Sequence, residues 1–423
     1  MTKEPKLLNT CTVLGAGMVG VACALELQRQ GFVVTLVDKA LPGSETSYGN
    51  GGVLARSSLI PLNNPSLPKS LLGLLRNDKP QLKYNPWFLL QNFSWGWRFL
   101  QSTRQEVFEE TAVALDELIR LSTSEHQRLM AQAGISHRLR DTGWVFLYRS
   151  EEAFDTGTFS RKVYEQFNVK TQTLNQAELT EIEPHLMKVF PKALWIRDAL
   201  SVDSPGETVR AYAAMFSQLG GRVILNDVSS LNRQADDAWD VLLGNGERLR
   251  TEHVVVALGP WSREFLGRLN FKIPMAFERG YHQHYQTQPD VRLNRPVYDT
   301  AKGYILTPME QGIRLTTGVE LTHHLAPSNL DQLRKGEQAA RDIFPLGAAT
   351  QDPIWRGARP TLPDSRPMIG QLPGAKNLWA AFGHQHIGFS TSTGTAALLA
   401  ALMRNQPTPI NSAPFRPNRF RLA

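Results

Sequence analysis

The sequence predicts an α/β protein of two domains, in which a parallel-sheet domain built from separate stretches of chain is interrupted by a second domain. Three observations predict it. They are a glycine-rich turn at 15–20 between an apolar run and a helix-like run, a buried parallel-type strand at 254–258 ending in glycine, and a second glycine turn at 383–388 that opens a helix. The chain has 423 residues, 42% of them hydrophobic, which is too long for one ordinary domain and ample for a core.

The first glycine turn connects a short apolar strand, 10–14, to a helix that we expect over 18–30. Gly15 permits the tight turn, Gly17 lets a diphosphate approach the backbone, and Gly20 lets the helix pack close to the strand. Because the helix N-terminus then faces the phosphate charge, the sequence predicts an anion site made of backbone.

A second strand, 32–37, ends at Asp38, about 20 residues beyond the turn, where a carboxylate accepts hydrogen bonds from the ribose of an unphosphorylated adenosine. The strand, the helix and the acid all agree with nucleotide binding, which argues against an isolated turn. A second glycine-rich segment, Thr-Ser-Tyr-Gly-Asn-Gly-Gly at 46–52, follows, and the two motifs together indicate a flavin nucleotide.

Composition and charge exclude several classes of protein. The 46 basic and 39 acidic residues leave a net charge of +7, with no Lys/Arg block, zinc-finger spacing or arrayed aromatic motif, so we expect no nucleic-acid partner. The two cysteines, Cys11 and Cys23, cannot form a disulfide framework, which favours a reducing compartment. The N-terminal residues lack the apolar core of a signal peptide and no apolar run approaches about 18 residues, so we expect a cytoplasmic protein without a spanning helix.

Residues 55–100 are rich in proline and aromatic residues with interleaved cations. The segment contains Ser-Leu-Leu-Gly-Leu-Leu at 70–75, tryptophans at 87, 95 and 97, and basic residues at 69, 76, 79, 83 and 98. Short apolar stretches with flanking cations and interfacial tryptophans suit insertion into one leaflet of a bilayer. A proline-broken subdomain with a packed aromatic core explains the same pattern, and the sequence leaves both interpretations open.

The C-terminal third contains the second informative group of motifs. A loop-rich stretch, 356–370, includes Gly-Ala-Arg-Pro at 357–360, and a short apolar strand follows at 378–382. The turn Gly-His-Gln-His-Ile-Gly at 383–388 then opens a helix rich in alanine and leucine that runs through Met403. This is a second glycine turn that leads into a helix N-terminus.

Together these motifs resemble the glutathione-reductase-fold flavoproteins of the D-amino acid oxidase group, which includes glycine oxidase, and within it most closely the bacterial D-amino acid dehydrogenases. The resemblance extends over nearly the whole chain and is carried by the motifs at 15–20, 46–52, 257–261, 357–370 and 383–388. It implies a discontinuous Rossmann-like FAD-binding domain, formed by 1–55, 200–265 and 350–423. It also implies an inserted antiparallel-sheet substrate domain at 56–199 and 266–349, with a candidate membrane-associating segment at 60–100.

The resemblance implies where FAD lies. Asp38 would contact the ribose, Val228 the adenine, and the turn at 383–388 the flavin pyrimidine edge, where a helix N-terminus stabilises negative charge. The chain has no cysteine near the last helix and no histidine near the early serine-rich loop, so we expect noncovalent FAD. The expected cofactor-binding residues are Gly15, Ala16, Gly17, Met18, Val19, Asp38, Lys39, Thr46, Ser47, Asn50, Gly51, Gly52, Val53, Val228, Gly259, Gly383, His386, Ile387, Gly388 and Phe389.

The resemblance also points to four candidate catalytic residues, Arg359, Tyr304, His384 and His282. Arg359 would hold the substrate carboxylate, since a guanidinium stays charged and binds a carboxylate through two parallel hydrogen bonds; a structural salt bridge is the alternative. Tyr304 resembles a tyrosine placed over the substrate, although strands also carry tyrosines for packing. His384 belongs to the second glycine turn, and His282 would line the cavity together with His284. We expect no metal, because no cysteine or carboxylate set accompanies the histidine pairs.

The implied activity is oxidative deamination of a D-amino acid, or of a cyclic D-imino acid such as D-proline or hydroxyproline. Arg359 would orient the substrate so that its Cα hydride passes to flavin N5, and water would hydrolyse the imino product. The electrons would pass to a quinone, with the enzyme on the cytoplasmic face of the membrane. An oxygen-using oxidase and a flavin-containing subunit of a larger amine dehydrogenase stay open as alternatives, whereas a nicotinamide dehydrogenase would not explain Arg359. The sequence does not give the oligomeric state.

Overall fold

The computed structural model describes residues 9–68, 77 and 80–422. Its strands are β1 (Thr10–Leu14), β2 (Val33–Asp38), β3 (Val53–Ala55), β4 (Leu82–Tyr84), β5 (Leu139–Arg140), β6 (Trp144–Tyr148), β7 (Thr171–Asn175), β8 (Lys192–Ile196), β9 (Ala199–Val202), β10 (Arg222–Leu225), β11 (Val228–Arg233), β12 (Trp239–Leu243), β13 (Arg248–Thr251), β14 (His253–Val256), β15 (Ala276–Thr287), β16 (Val297–Asp299), β17 (Tyr304–Met309), β18 (Gly312–Thr316), β19 (Val319–Leu321), β20 (Leu346–Ala349), β21 (Trp355–Thr361), β22 (Met368–Gln371) and β23 (Leu378–Phe382). Its α-helices are α1 (Met18–Arg29), α2 (Pro86–Gln91), α3 (Phe93–Gln101), α4 (Gln105–Gln132), α5 (Glu151–Thr156), α6 (Thr158–Gln166), α7 (Gln176–Ile182), α8 (Pro205–Gln218), α9 (Ser262–Gly267), α10 (Asp331–Arg341) and α11 (Gly388–Met403).

Six strands form a central sheet in the order β10-β2-β1-β14-β23-β22, parallel except for β22. The apolar runs of β1 and β14 are buried, as parallel strands between two covering layers require. One face of the sheet packs against α1, α8 and α11, and the other against the antiparallel meander β11-β12-β13. This sheet and its two layers form the Rossmann-like domain that the sequence predicts.

A second, larger sheet faces the first. Nine of its strands follow the order β4-β19-β15-β18-β17-β16-β6-β8-β7, and β20 and β21 both pair with β15. The pairs are antiparallel apart from β16 with β6 and β19 with β4. Helix α10 covers one face over a core that includes Tyr285, Leu315 and Leu333. The two-domain α/β fold with a largely antiparallel second sheet is therefore confirmed.

Strand β21 departs from the expected domain division. We placed 350–423 in the nucleotide-binding domain, but β21 pairs with β15 of the large sheet from Ala276 opposite Thr361 to His282 opposite Trp355. The central sheet resumes only at β22. The backbone groups of a buried strand must find hydrogen-bond partners, and β15 supplies them here. The Gly-Ala-Arg-Pro motif at 357–360 therefore belongs to the large sheet by pairing.

Helices α2 and α3 divide the aromatic residues of the 60–100 segment between interior and surface. Phe88 and Trp95 are buried in the core of the central sheet, and the Trp95 indole donates to the Thr361 carbonyl oxygen at 3.0 Å. Four large apolar side chains are between 56% and 68% exposed, and we call them the aromatic face: Trp87, Leu90, Phe93 and Trp97. Packing thus explains the inner residues of this segment and leaves the outer ones without a partner in the described chain.

The start of α2 is fixed by local chemistry. The Asn85 side chain accepts hydrogen bonds from the amides of Trp87 and Phe88, and Pro86 occupies the first helical turn. The apolar cluster predicted at 70–75 and the basic residues at 69, 76 and 79 lie outside the described residues. Among the helices that the structure does describe, none has the length and apolar character needed to cross a membrane.

Candidate active site

The glycine turn between β1 and α1 is dictated by close backbone contacts. Gly15 adopts φ +105°, and a Cβ there would lie 2.5 Å from the Ala257 carbonyl oxygen. A Cβ on Gly20 would lie 1.8 Å from the Gly15 carbonyl oxygen, so the helix packs at a distance that only glycine allows. Gly17 and Met18, at the N-terminus of α1, line a cavity, and the backbone amides there suit a diphosphate.

Asp38 ends β2 at the same edge of the central sheet. Its Oδ2 accepts a hydrogen bond from the Ala16 amide at 2.5 Å, and its Oδ1 accepts one from the Ala40 amide at 3.0 Å. These bonds fix the carboxylate beside the glycine turn. Asp38 and Val228, the first residue of β11, both line the cavity, which is where contacts to a ribose and an adenine would be made.

The cavity has a volume of about 530 Å³ and lies between the two sheets, from the first glycine turn to β21 and α11. The expected cofactor-binding residues that line it are Gly15, Gly17, Met18, Val19, Asp38, Lys39, Thr46, Ser47, Asn50, Gly51, Val53, Val228, Gly259, His386, Ile387, Gly388 and Phe389. Ala16, Gly52 and Gly383 do not line it. Ala16 instead holds Asp38 through its amide, while Gly52 and Gly383 form bends of the backbone next to lining residues, at φ +71° and +85°.

A buried arginine that the sequence analysis did not single out holds the 46–52 loop against the cavity. Arg314 of β18 donates Nη1 to the carbonyl oxygens of Tyr48 at 2.8 Å and Asn50 at 2.6 Å, and donates Nε to His284 Nε2 at 3.0 Å. Burial lowers the pKa of Arg314 to about 10, so the guanidinium is charged at neutral pH. The sequence of β18 does not predict this role, because the partners of Arg314 are backbone carbonyl oxygens of a loop that is far away in sequence.

Arg359 lies on β21 directly opposite Glu278 of β15 and lines the cavity. Its guanidinium packs over Gly280, where a Cβ would lie 2.6 Å from Nη2, and Nη1 donates to the Gly318 carbonyl oxygen at 3.4 Å. Burial lowers the pKa of Arg359, and the nearby Glu278 carboxyl opposes that shift. Within the described residues no carboxylate comes within the 4.0 Å of an ion pair, so the alternative of a structural salt bridge is absent there. Arg359 therefore lines the cavity without an ion-pair partner among the described residues.

His384 and His386 follow the second glycine turn and line the cavity. His384 Nε2 pairs with the Thr395 hydroxyl at 3.0 Å, and burial lowers the pKa of His384 to about 3. Burial and the positive charge of Arg359 lower the pKa of His386 to about 4. Both imidazoles are therefore neutral near pH 7. Helix α11 begins at Gly388, which places its N-terminus at this end of the cavity.

Tyr304 does not face the cavity, which corrects the prediction that it lies over the substrate. Its neighbours Gly303 and Ile305 line the cavity, whereas Tyr304 is 1% exposed in the core on the other face of β17. Its hydroxyl donates to Asp299 Oδ2 at 3.4 Å. Successive side chains of a strand alternate between its faces, so the residue one position further on is the one that can meet a substrate.

His282 lies behind the cavity wall, which is a second correction. Its ring stacks on that of Trp355 with centroids 4.9 Å apart, and it lies 5.7 Å from the ring of Tyr48. Burial and the charge of Arg314 lower the pKa of His282 to about 2, so it is neutral. Trp355 is the residue of this stack that lines the cavity. Other lining residues that the sequence analysis missed come from the large sheet beside Arg359: Trp144, Tyr298, Ile305 and Thr317.

The pair His323-His324 has a carboxylate neighbour that the sequence analysis did not foresee. Glu264 carboxylate oxygens lie 3.8 Å from His323 Nε2 and 3.6 Å from His324 Nε2, a spacing that allows a metal ion. Positive charges on Arg263 and Arg356 act on His324, and they oppose a cation at this position. The absence of a metal stays a prediction, which elemental analysis of the purified protein checks.

The two halves of the cavity define a class of protein. A glycine turn at a helix N-terminus, an acid at the end of the next strand and a second helix N-terminus near a half-buried arginine suit an elongated dinucleotide with a reactive ring at one end. That is the arrangement of a flavin-dependent oxidoreductase.

Comparison with known proteins gives the family. The model of the family described as FAD dependent oxidoreductase matches residues 10–402, and the chain belongs to this family. It is 28% identical over 415 residues to the D-amino-acid oxidase of Bradyrhizobium diazoefficiens, covering 96% of this chain and 98% of that protein. It is 29% identical over 421 residues to the D-amino acid dehydrogenase of Neisseria gonorrhoeae, covering 96% and 98%. The structure of glycine oxidase from Geobacillus kaustophilus superposes with a TM-score of 0.74 at 20% identity, covering 97% and 98%.

The cavity and the family agree on the cofactor. The steric demand for glycine at positions 15 and 20 and the helix N-termini at both ends of the cavity fit FAD, whose diphosphate and reduced ring both carry negative charge. The chain is therefore an FAD-dependent enzyme that oxidises amines or amino acids.

Proposed function

We propose that the chain oxidises a D-amino acid, or a cyclic D-imino acid such as D-proline or hydroxyproline, to an imino acid that water hydrolyses. Arg359 is the observation that carries this proposal, because it is a charged group on the cavity wall with no ion-pair partner among the described residues. A guanidinium in such a place binds a carboxylate through two parallel hydrogen bonds. The names of the two relatives support the D configuration.

The part of the cavity wall that the large sheet forms favours a substrate with a neutral side chain. The large sheet contributes an indole, a phenol, an aliphatic chain and a hydroxyl there, from Trp144, Tyr298, Ile305 and Thr317. Burial raises the pKa of Tyr298 to about 12, so its phenol is neutral. An ionised substrate side chain would lose its hydration against these groups without gaining an opposite charge. Alanine and proline fit this wall better than aspartate or lysine.

The residues of the cavity bind and orient the substrate rather than exchange its protons. FAD, when bound, supplies the acceptor for the Cα hydride, held by the segments 15–20, 46–53 and 383–388. Arg359 fixes the carboxylate, and with it the position of Cα. His384 and His386 have pKa values of about 3 and about 4, so both are too weakly basic to take a proton from the substrate ammonium group, and the amine must arrive without that proton. We therefore expect the limiting rate of flavin reduction at saturating substrate to rise with pH toward the pKa of the bound amine.

FAD is expected to be noncovalent in this enzyme. Both cysteines are buried in β1 and α1, where burial raises the pKa of each thiol far above its usual value, and neither lines the cavity. Precipitation with acid should therefore release free FAD. Yellow colour that stays in the pellet would show a covalent link.

Turnover by the isolated chain tests the proposed function. The substrates are a panel of D- and L-amino acids with neutral, acidic and basic side chains, and a redox dye accepts the electrons. We expect D enantiomers with neutral side chains to exceed their L forms by at least about tenfold in kcat/KM, which is about 1.4 kcal/mol. Faster turnover of the L forms would contradict the D assignment. No turnover of any member by FAD-loaded protein would favour the subunit of a larger amine dehydrogenase.

For the electron acceptor we propose a membrane quinone, with the aromatic face as the part that meets the bilayer. Its four side chains are more than half exposed, and residues 80–105 include no aspartate or glutamate but exposed cations at Arg98 and Arg104. Tryptophan beside cations suits the boundary between headgroups and acyl chains. This would place the enzyme on the cytoplasmic face of the membrane, as a peripheral protein.

Vesicle binding tests the membrane proposal. We expect the wild-type protein to sediment with vesicles that contain anionic lipid, and the double variant Trp87→Ser, Trp97→Ser to bind at least about tenfold more weakly with unchanged dye turnover. Val113→Ser, at an apolar position of α4 that is 50% exposed, is the matched control and should bind normally. Equal binding by the double variant would exclude the aromatic face. Oxygen consumption faster than quinone reduction would favour the oxidase alternative.

A further inference from the structure

Glu278 is a buried carboxyl group that pairs with Arg359 across two strands and does not line the cavity. It is 1% exposed, and its Oε2 has no hydrogen-bond partner within the part of the chain that the structure describes. Glu278 and Arg359 are directly opposed in the β15–β21 pair, which places their side chains on the same face with Cβ atoms about 5 Å apart. Since an unsatisfied buried carboxyl destabilises a fold, its position beside a cavity arginine calls for an explanation.

The surroundings of Glu278 leave Arg359 as its charged neighbour. Strand β21 brings Arg359 and Thr361 to it, and β19 brings the apolar Leu321 at the paired position. His386, in the second glycine turn, lies close enough to Arg359 for the charge of the arginine to lower its pKa. Burial raises the pKa of Glu278, and the positive charge of Arg359 opposes that shift. The protonation state of Glu278 therefore depends on whether the positive charge of Arg359 is also neutralised by another group.

Binding of a substrate carboxylate to Arg359 changes the balance between burial and positive charge that sets the pKa of Glu278. Where Glu278 is ionised in the free site, its negative charge offsets the positive charge of Arg359. When a substrate carboxylate binds Arg359, two carboxylates share one guanidinium in a buried place, and their repulsion is relieved if one takes a proton. The substrate carboxylate is held by direct hydrogen bonds, whereas Glu278 makes no ion pair with Arg359. Glu278 is therefore the group that accepts the proton.

We propose that Glu278 takes up one proton when a carboxylate ligand binds Arg359, and thereby sets the affinity of the site for carboxylates. The proposal rests on the proposed function of Arg359 as the carboxylate site. Glu278 acts through Arg359 and is a positioning residue, since it does not line the cavity.

The sign of the pH effect follows from this linkage. Below the pKa of Glu278 in the free enzyme, the carboxyl is already protonated and the ligand affinity does not change with pH. Above that pKa, each pH unit weakens carboxylate binding by up to about tenfold, because one proton must be taken up. The dependence ends at the higher pKa of Glu278 in the complex. Carboxylate substrates thus bind more weakly as the pH rises.

Calorimetry on the FAD-loaded enzyme tests the proposal with benzoate, a carboxylate without an amine to titrate. Benzoate is titrated in two buffers of different ionisation enthalpy at several values between about pH 6 and about pH 9, and the difference in heat gives the protons taken up. We expect uptake that reaches about one proton per benzoate in the wild-type enzyme. Glu278→Gln should bind benzoate with no uptake and with an affinity that is flat in pH. Absence of uptake by the wild-type enzyme across this range would overturn the proposal, and this result needs no variant.

Two further variants assign the proton and separate the two proposals. His386 also feels the charge of Arg359, so His386→Asn should retain the uptake; its loss there would move the proton to His386 and overturn the assignment to Glu278. Unchanged proton uptake in Glu278→Gln would also overturn the assignment of the proton to Glu278. Arg359→Leu should abolish benzoate binding. Full binding by that variant would instead contradict the proposed function, irrespective of what Glu278 does.

Discussion

Two arginines of the large sheet, Arg314 on β18 and Arg359 on β21, have different partners, and both strands pair with β15. Arg314 uses its donors on the carbonyl oxygens of Tyr48 and Asn50 and on His284, so its role is to hold the loop that contacts the cofactor. Arg359 donates one long hydrogen bond, to the Gly318 carbonyl oxygen, and lines the cavity. The same residue type therefore holds a loop of the cavity wall in one position, and in the other it is the group that we propose for the substrate carboxylate.

Replacing Arg314 by Met should weaken FAD binding. The variant loses two charge-assisted hydrogen bonds to the 46–52 loop, each worth about 1.5–3 kcal/mol, so we expect the dissociation constant of FAD to rise by about 10²-fold or more. Titration of the apoprotein with FAD, followed by fluorescence quenching, measures it. Arg334→Met is the control, because that side chain is 74% exposed on α10. Equal FAD affinity in both variants would show that the loop does not need Arg314.

At the scale of elements, the strands of the large sheet decide which side chains reach the substrate. Strand β21 pairs with β15 and so brings Arg359 to the cavity wall, even though the next strand along the chain, β22, belongs to the central sheet. Strand β17 sends Tyr304 into the core under α10 and Ile305 to the cavity. A shift of one residue along such a strand exchanges core and cavity.

Adjacent substitutions on β17 test this assignment. Ile305→Trp fills cavity space, so we expect the KM for the amino acid to rise by about tenfold or more with FAD still bound. Tyr304→Phe removes only a hydroxyl that contacts Asp299, so the KM should stay within about twofold while the unfolding free energy falls by about 1 kcal/mol. Steady-state kinetics and urea unfolding measure both. The reverse pattern would restore Tyr304 to the substrate site.

At the scale of the whole molecule, several histidines are buried in the neutral form. His126 lies between α4 and α11, with Nε2 2.8 Å from the Phe389 carbonyl oxygen and Nδ1 3.1 Å from the Tyr212 hydroxyl. Burial lowers the pKa of His126 to about 4, and those of His282 and His384 to about 2 and about 3. These groups take up protons near their usual pKa of about 6.5 only when the chain unfolds.

Stability should therefore fall as the pH falls below about 6.5. Between that value and about pH 5 the unfolded chain binds more protons than the folded one, and each such histidine lowers the unfolding free energy by up to about 1.4 kcal/mol per pH unit. Urea unfolding at a fixed FAD concentration over this range measures the slope. His126→Gln should reduce the slope by about one proton, whatever its effect on stability at pH 7. An unchanged slope would show that His126 is not buried neutral.

The parts of the site that the sequence predicts are those whose chemistry is local. The turn from Gly15 to Gly20, Asp38 at the end of the next strand and the turn that begins at Gly383 each combine a strand end, a glycine and a helix start within a few residues. The prediction of nucleotide binding follows from that spacing alone. The predicted role of Arg359 came from resemblance to a family, and the structure adds that the residue lines the cavity.

The parts that the sequence does not predict depend on pairing between distant strands. Arg314 and Glu278 have no distinguishing feature in the sequence. Their positions become informative because β18 contacts the 46–52 loop and β15 pairs with β21. Tyr304 was the wrong choice by one position, because the sequence gives the alternation along β17 but not which face meets the cavity. The sequence also does not predict the carboxylate beside His323-His324. Glu264 lies on α9, far from these histidines in sequence, and only the fold brings the three residues together.

Anaerobic reduction of bound flavin by D-alanine tests the central claim most directly, namely that Arg359 holds the substrate carboxylate beside FAD. For Arg359→Leu we predict an intact oxidised flavin spectrum and an apparent Kd for D-alanine raised by about 10²-fold or more, since the loss of one member of a buried charge pair costs about 2–5 kcal/mol. Arg356→Leu, an exposed position on the same strand, should reduce flavin as the wild-type enzyme does. An unchanged Kd for D-alanine in Arg359→Leu, with flavin reduced at the wild-type rate, would contradict the claim.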